Sequence, residues 1–149
     1  LTPPPPPEVI RTPALARGVG EQLTPVTLPP LWVTVWVPPV AVSTPSIFAD
    51  PELTRDTASA KMDVFSEAYG RNDLAAVAAA RFPAVAEALD ALSRAAVGPG
   101  GARMSGSGSC VYALFDTGEA ARAALAAMPV GKRGFVGRTL ARHPLAGLA

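Results

Sequence analysis

Proline restricts the first third of this chain more than any other residue, because 12 of the 17 prolines fall within the first 45 positions. Proline has no backbone N–H and a fixed φ, so helix interiors and central strands exclude it. The unbroken run from Pro3 to Pro7 favours an extended polyproline II rod. We therefore predict that residues 1–13 form a proline-rich tail outside the fold and that one domain occupies residues 14–149. A proline-motif ligand is the alternative for this run, but it would need a partner and flanking basic residues.

Two strands and a helix start are predicted after the tail. Gly18 and Gly20 suit a turn, and residues 23–26 follow as a short edge strand. Residues 32–37 are aromatic and β-branched throughout, which favours a strand that ends at the next proline pair. Ser43-Thr44-Pro45 then predicts a helix start, with a hydroxyl cap and a proline at the first helical position.

The middle of the chain has the spacing of helices. Met62, Phe65 and Tyr69 recur at helical intervals. Asn72 is a suitable cap for a second helix, and Pro83 a suitable first residue for a third.

Strands return in the last third. Residues 110–115 are apolar on both faces, which indicates a central strand. Asp116 with Glu119 resembles a capping box and predicts a helix through Met128, and residues 134–138 form a last strand. This order predicts an α+β two-layer sandwich, a mainly antiparallel sheet with helices on one face.

Charge and cysteine content narrow the function classes. The net charge of +1, with basic and acidic residues interleaved, gives no footprint for nucleic acid or for an anionic membrane. The longest apolar run is too short to span a bilayer. Cys110 is the only cysteine, so no intramolecular disulfide can form, and a reducing cytoplasm is the expected location.

The loop Arg103-Met104-Ser105-Gly106-Ser107-Gly108-Ser109 is the best candidate for ligand contact. Gly106 and Gly108 allow close approach and positive φ, so successive amides can form an anion-binding concavity, to which Ser105 and Ser107 add hydroxyls. No Gly-Lys-Ser/Thr follows, so this is not a P-loop. A flexible serine–glycine turn between two strands is the competing interpretation.

Thr44 and Phe48 form a second candidate site, at the start of a short helix directly after a strand. They present a hydroxyl and an aromatic ring one turn apart, and such a ring could stack on a base or a sugar. The competing interpretation places Phe48 in the core.

Nothing else in the sequence suggests catalysis. His143 is the only histidine, and Cys110 lies in the apolar strand, where we expect an inert core thiol. We therefore predict no catalytic residue and no metal site in this chain.

Four blocks and a closing tripeptide carry a family resemblance. They occur in the order 16–21 (ARGVGE), 43–48 (STPSIF), 72–74 (NDL), 103–112 (RMSGSGSCVY) and 143–145 (HPL). In this order they resemble the C-terminal half of the 4-diphosphocytidyl-2-C-methyl-D-erythritol kinases, a branch of the GHMP kinase superfamily. The resemblance covers about nine-tenths of the chain.

The resemblance implies transfer of the ATP γ-phosphate, with Mg²⁺, to a hydroxyl of a cytidine-diphosphate-linked methylerythritol, a step in non-mevalonate isoprenoid synthesis. It implies that Phe48 stacks on the cytosine, with Thr44 close to the nucleoside. It places Ser105, Gly106, Ser107 and Gly108 in a loop lining the cleft near the reacting groups.

The family's ATP loop and substrate lysine belong to an N-terminal kinase domain that has no counterpart here. The window of its catalytic aspartate is occupied by residues 1–7, which contain no aspartate. We therefore expect the chain alone to be inactive and to bind neither ATP nor Mg²⁺ well. Two alternatives remain: a non-catalytic nucleotide-binding or assembly domain, and a GHMP kinase for another acceptor, such as homoserine or a mevalonate derivative.

Overall fold

A computed structural model describes residues 12–58, 70–96, 100–128 and 133–144. The predicted helix of Met62, Phe65 and Tyr69 and the run from Pro3 to Pro7 both lie outside these ranges. Within them, no helix is long and apolar enough to cross a membrane.

The described residues form six strands and four helices. The first half contains β1 (Ala14–Arg17), β2 (Gln22–Pro25), β3 (Trp32–Val37) and α1 (Thr44–Phe48). The second half contains α2 (Asp73–Arg81), α3 (Pro83–Ala95), β4 (Arg103–Met104), β5 (Val111–Phe115), α4 (Gly118–Ala126) and β6 (Arg133–Arg138). The predicted strands at 32–37 and 134–138 are confirmed, and β2 begins one residue earlier than predicted.

Four of the strands form one antiparallel sheet in the order β4-β5-β3-β6. The central position predicted for the strand after the glycine–serine loop is confirmed, because β5 lies between β4 and β3. Strands β1 and β2 form a separate antiparallel hairpin whose turn contains the predicted glycine pair.

One face of the four-stranded sheet is buried beneath helices. Thr34 and Trp36 on β3 lie opposite Ala113 and Val111 on β5, and all four side chains are almost fully buried. Helix α3 contacts β5, and α4 contacts β3, β5 and β6. Leu92 of α3 is completely inaccessible in this layer. The structure therefore has the α+β two-layer architecture that the sequence predicts.

The helix starts agree with the sequence at two positions. Asn72 caps α2, where its side-chain oxygen accepts a hydrogen bond from Leu74 N–H at 3.1 Å. Pro83 is the first residue of α3. Both residues act as their chemistry predicts: a short polar side chain satisfies a free N–H, and proline occupies a position that needs none.

Two predicted caps are wrong. Ser43 occupies the N-cap position of α1, but its side chain makes no cap bond, and its carbonyl instead accepts from the Ser46 hydroxyl at 2.7 Å. Thr117, not Asp116, caps α4 by accepting from Ala120 N–H at 3.2 Å, and the helix ends at Ala126. The hydroxyl of Thr117 is the group positioned to reach the free N–H three residues on.

A buried hydroxyl joins the sheet to α4, and it gives a test of this packing. Thr34 is inaccessible, and its Oγ1 donates to the Ala121 carbonyl at 2.7 Å. We expect Thr34→Val, which keeps the shape and removes the donor, to lower the free energy of unfolding by about 1–2 kcal/mol in urea titrations. Thr24→Val, the same change on the exposed strand β2, should change it by less than about 0.5 kcal/mol. Equal unfolding midpoints for the two variants would contradict this role.

Candidate functional site

The register of the central strands brings the two predicted site segments together. Trp36, near the end of β3, lies opposite Val111 at the start of β5. Because the strands are antiparallel, the residues that follow β3 and those that precede β5 leave the sheet at the same end. Helix α1 and the glycine–serine loop, residues 105–109, are therefore neighbours although they are far apart in sequence.

A direct contact joins these segments. The hydroxyl oxygens of Thr44 and Ser107 are 2.6 Å apart, within hydrogen-bond distance across 63 positions of sequence. A hydroxyl has one donor and two acceptor sites, so whichever residue donates, the other keeps its proton for a further partner. The pair can therefore present one O–H donor and unused lone pairs to a ligand.

The glycine–serine loop is the turn of the β4–β5 hairpin. Ser105 N–H donates to the Cys110 carbonyl at 2.9 Å, and Gly108 N–H donates to the Ser105 carbonyl at 3.0 Å. Gly106 and Gly108 have φ of +55° and +98°, backbone values that residues with a Cβ rarely adopt. The loop joins two strands, as the competing interpretation had it, but it is also bonded to a helix outside the hairpin.

Phe48 lies at the last position of α1, one turn after Thr44. Its side chain is 54% exposed, so the interpretation that places it in the core is wrong. The neighbouring Ile47 is 1% exposed and anchors the helix to the core. Helix α1 thus buries one side and presents the aromatic ring on another, on the same part of the surface as the Thr44–Ser107 pair.

An arginine holds the end of α1 in place. The Arg55 guanidinium donates to the carbonyls of Phe48 and Asp50 at 2.8 and 2.9 Å. Asp50 is 4% exposed and forms an ion pair with Arg81, the last residue of α2. The backbone that carries the ring is therefore held by two hydrogen bonds from one guanidinium. Neither interaction was predicted, because Arg55 and Asp50 belong to no recognisable motif.

A cavity of about 290 Å³ lies on the other side of the loop. Its lining consists of Gly70, Arg71, Asn72, Arg103, Met104, Ser105, Gly106 and Tyr112. Arg71 donates a hydrogen bond to Asp73, which holds the pKa of Asp73 below its ordinary value, and a hydrogen bond from Thr57 acts in the same direction. Asp73 stands in the first turn of α2, where a negative charge is also favoured by the helix dipole.

The structure also places the cysteine and the possible metal ligands of the described residues. Cys110 is half-buried just before β5 rather than within it. Across the residues that the structure describes, no group of three or more His, Cys, Asp or Glu side chains could hold a metal ion. The arrangement at the end of the sheet offers hydroxyls, backbone amides and one aromatic face, which suit binding of a polar ligand with an aromatic part.

Comparison with known proteins gives a family match for more than half of the chain. The family model described as GHMP kinases C terminal matches residues 54–130. The 4-diphosphocytidyl-2-C-methyl-D-erythritol kinase of Nitrosospira multiformis is 48% identical over 132 residues, which cover 89% of this chain and 45% of that protein. The kinase of the same name from Thiobacillus denitrificans is also 48% identical, with 89% of this chain and 46% of that protein covered.

A solved structure agrees in fold. The crystal structure of a 4-(cytidine 5'-diphospho)-2C-methyl-D-erythritol kinase matches with a TM-score of 0.62 and 27% sequence identity. The match covers 84% of this chain and 48% of the other. The chain thus spans about half the length of the curated relatives and of the solved structure that it matches.

The contact between the two segments predicts an energetic coupling. Thr44→Val and Ser107→Ala each remove one hydroxyl of the bridge, and a double-mutant cycle in urea should give a coupling of about 0.5–1 kcal/mol. Thr44→Val with Ser109→Ala is the matched control, because the Ser109 hydroxyl points toward the Pro38 carbonyl at 3.5 Å and not toward Thr44. A coupling near zero for both cycles would mean that the bridge does not join the segments in solution.

Proposed function

This chain belongs to the GHMP kinase family, whose C-terminal domain it contains, and we propose that it forms the acceptor-binding part of a 4-diphosphocytidyl-2-C-methyl-D-erythritol kinase. The names of the Nitrosospira and Thiobacillus relatives support this acceptor over homoserine or a mevalonate derivative. The complete enzyme would transfer a phosphoryl group from ATP to a hydroxyl of the acceptor in non-mevalonate isoprenoid synthesis. A reducing cytoplasm is its proposed location, in keeping with a single cysteine.

The observation that carries the proposal is the hydroxyl bridge between Thr44 and Ser107, beside the exposed ring of Phe48. A cytidine diphosphate needs an aromatic face for the base and hydrogen-bond donors for the sugar and phosphates. In this proposal Phe48 stacks on the cytosine, and Thr44 binds close to the nucleoside.

The loop residues Ser105, Gly106, Ser107 and Gly108 would then face the phosphate-bearing end of the acceptor. Within the described ranges, the amides of Gly106 and Ser107 make no hydrogen bond to another part of the protein. Successive backbone N–H groups in a turn with positive φ commonly form a small anion-binding site. The Ser105 hydroxyl supplies a further donor at the start of the loop.

ATP and Mg²⁺ are proposed as cosubstrate and metal of the complete enzyme. Two acidic residues near the site are each paired with an arginine, Asp50 with Arg81 and Asp73 with Arg71. No cluster of metal ligands occurs in the described ranges. We therefore assign no step of phosphoryl transfer to this chain, and propose that residues 14–149 work with an N-terminal kinase domain that supplies the rest of the centre.

Base stacking by Phe48 can be tested by calorimetry with cytidine diphosphate. We expect Phe48→Ala to weaken binding by about 1–3 kcal/mol, as removal of a stacking ring does in other base-binding sites. Phe135→Ala is the matched control, because Phe135 is exposed to a similar degree, 57% against 54%, but lies on β6 away from the loop. Equal affinities for the Phe48 variant and the parent chain would remove this ring from the site.

The proposal that an N-terminal kinase domain supplies the catalytic groups can be tested separately. The purified chain, given ATP, Mg²⁺ and the cytidine-linked acceptor, should show no phosphoryl transfer above the uncatalysed rate in a coupled ADP assay. The reason is that the chain spans only about half the length of the kinases that it resembles, whereas phosphoryl transfer needs groups that position both substrates. Measurable turnover by the chain alone would overturn the assignment of the catalytic groups to another domain.

A further inference from the structure

We propose that Asn72 is the positioning residue of the glycine–serine loop, and that its role as a helix cap is only half of its function. Its side-chain Nδ2 donates to the carbonyl of Met104 at 2.9 Å and to the carbonyl of Gly106 at 2.8 Å. These carbonyls lie at the entry to the loop and within it. The inference rests on the proposed function for what the loop binds, whereas the contacts themselves do not depend on it.

The hydrogen bonds fix the orientation of the Asn72 amide. Leu74 N–H needs an acceptor, which is Oδ1 at 3.1 Å, and the two carbonyls need donors, which only the NH₂ group can supply. The flipped amide would lose all three bonds. The Asn72 side chain therefore provides hydrogen-bond partners for one N–H in the first turn of α2 and for two carbonyls of the loop.

Asn72 fixes the direction of the two loop carbonyls, and this affects the amides that belong to the same peptide units. Each peptide unit is planar, so fixing the Gly106 carbonyl also fixes the direction of the Ser107 N–H, which belongs to the same peptide. Fixing the Met104 carbonyl does the same for Ser105 N–H, which closes the turn on Cys110. Asn72 thereby orients amides of the loop without touching a ligand.

The loop is held from a second side by Thr44, through the Ser107 hydroxyl. Asn72 acts on the backbone and Thr44 on a side chain, so the two contacts restrain different degrees of freedom. The Asn72 contacts restrain the backbone direction together with the two hydrogen bonds within the turn, and a ligand that binds amides would depend on them.

Substitution can separate the role of Asn72 as a helix cap from its hydrogen bonds to the two loop carbonyls. Ser and Asp are as good as Asn at the N-cap position, so Asn72→Ser and Asn72→Asp keep an acceptor for Leu74 N–H. Neither has an NH₂ group to donate to Met104 and Gly106. Thr117→Ala is the matched control, because Thr117 caps α4 with a similar bond, to Ala120 N–H, and has no contact with the loop.

Amide hydrogen exchange followed by NMR on the chain without ligand is the deciding measurement. We expect the loop amides of Ser105 and Gly108 to exchange about tenfold faster in both Asn72 variants, while the core amide of Leu92 changes much less. Thr117→Ala should speed exchange of core amides without an excess in the loop. The proposal is overturned if the loop amides of both Asn72 variants exchange as in the parent, or accelerate only in step with Leu92.

Titration with cytidine diphosphate then separates this inference from the proposed function. If the parent chain binds, both Asn72 variants should lose about tenfold in affinity, whereas Thr117→Ala should keep the affinity of the parent. If the parent chain does not bind, the proposed acceptor is called into question. The exchange measurement still decides whether Asn72 holds the loop. Unchanged affinity in both Asn72 variants of a binding parent would overturn the positioning role.

Discussion

The antiparallel pairing of β3 with β5 is the constraint on which the rest of this structure depends. Its register places Trp36 opposite Val111, and alternate side chains of both strands then share the face that packs under α3 and α4. A slip of one residue would turn each buried side chain toward the other face, so burial of Thr34 and Ala113 holds the register in place. The same register decides which ends of the two strands adjoin, and hence which loops can meet.

Much of the fold could be predicted from local signals. The β-branched and aromatic run of β3, the proline that opens α3 and the cap at Asn72 each depend on chemistry within a few residues. Where local signals competed, prediction was wrong. Asp116 and Thr117 are adjacent residues that can both cap a helix, and only the path of the chain after β5 decides between them.

The candidate site was predictable in its parts and not in its assembly. The glycine spacing and the position of Phe48 indicate two separate binding elements, and the sequence contains no signal that Thr44 would touch Ser107. That contact follows from long-range strand pairing, which leaves no trace in either segment. The groups that hold the site were also missed, because Arg55 and Asn72 act on backbone carbonyls. Every residue has a carbonyl, so such contacts have no signature in the sequence of the partner.

Under the function proposed above, this surface would be one wall of a larger site. Binding pockets for small molecules enclose most of the ligand, commonly 70–90% of its surface. Here the ring of Phe48 is 54% exposed, while its backbone and the loop are held by hydrogen bonds from Arg55 and Asn72. A base stacked on that ring would be covered on one face only, and phosphates at the loop would contact hydroxyls and amides but no metal cluster of the described residues. Under the function proposed above, a surface held by these contacts and open at the ring would form one wall of the acceptor site, and another part of the enzyme would supply the rest.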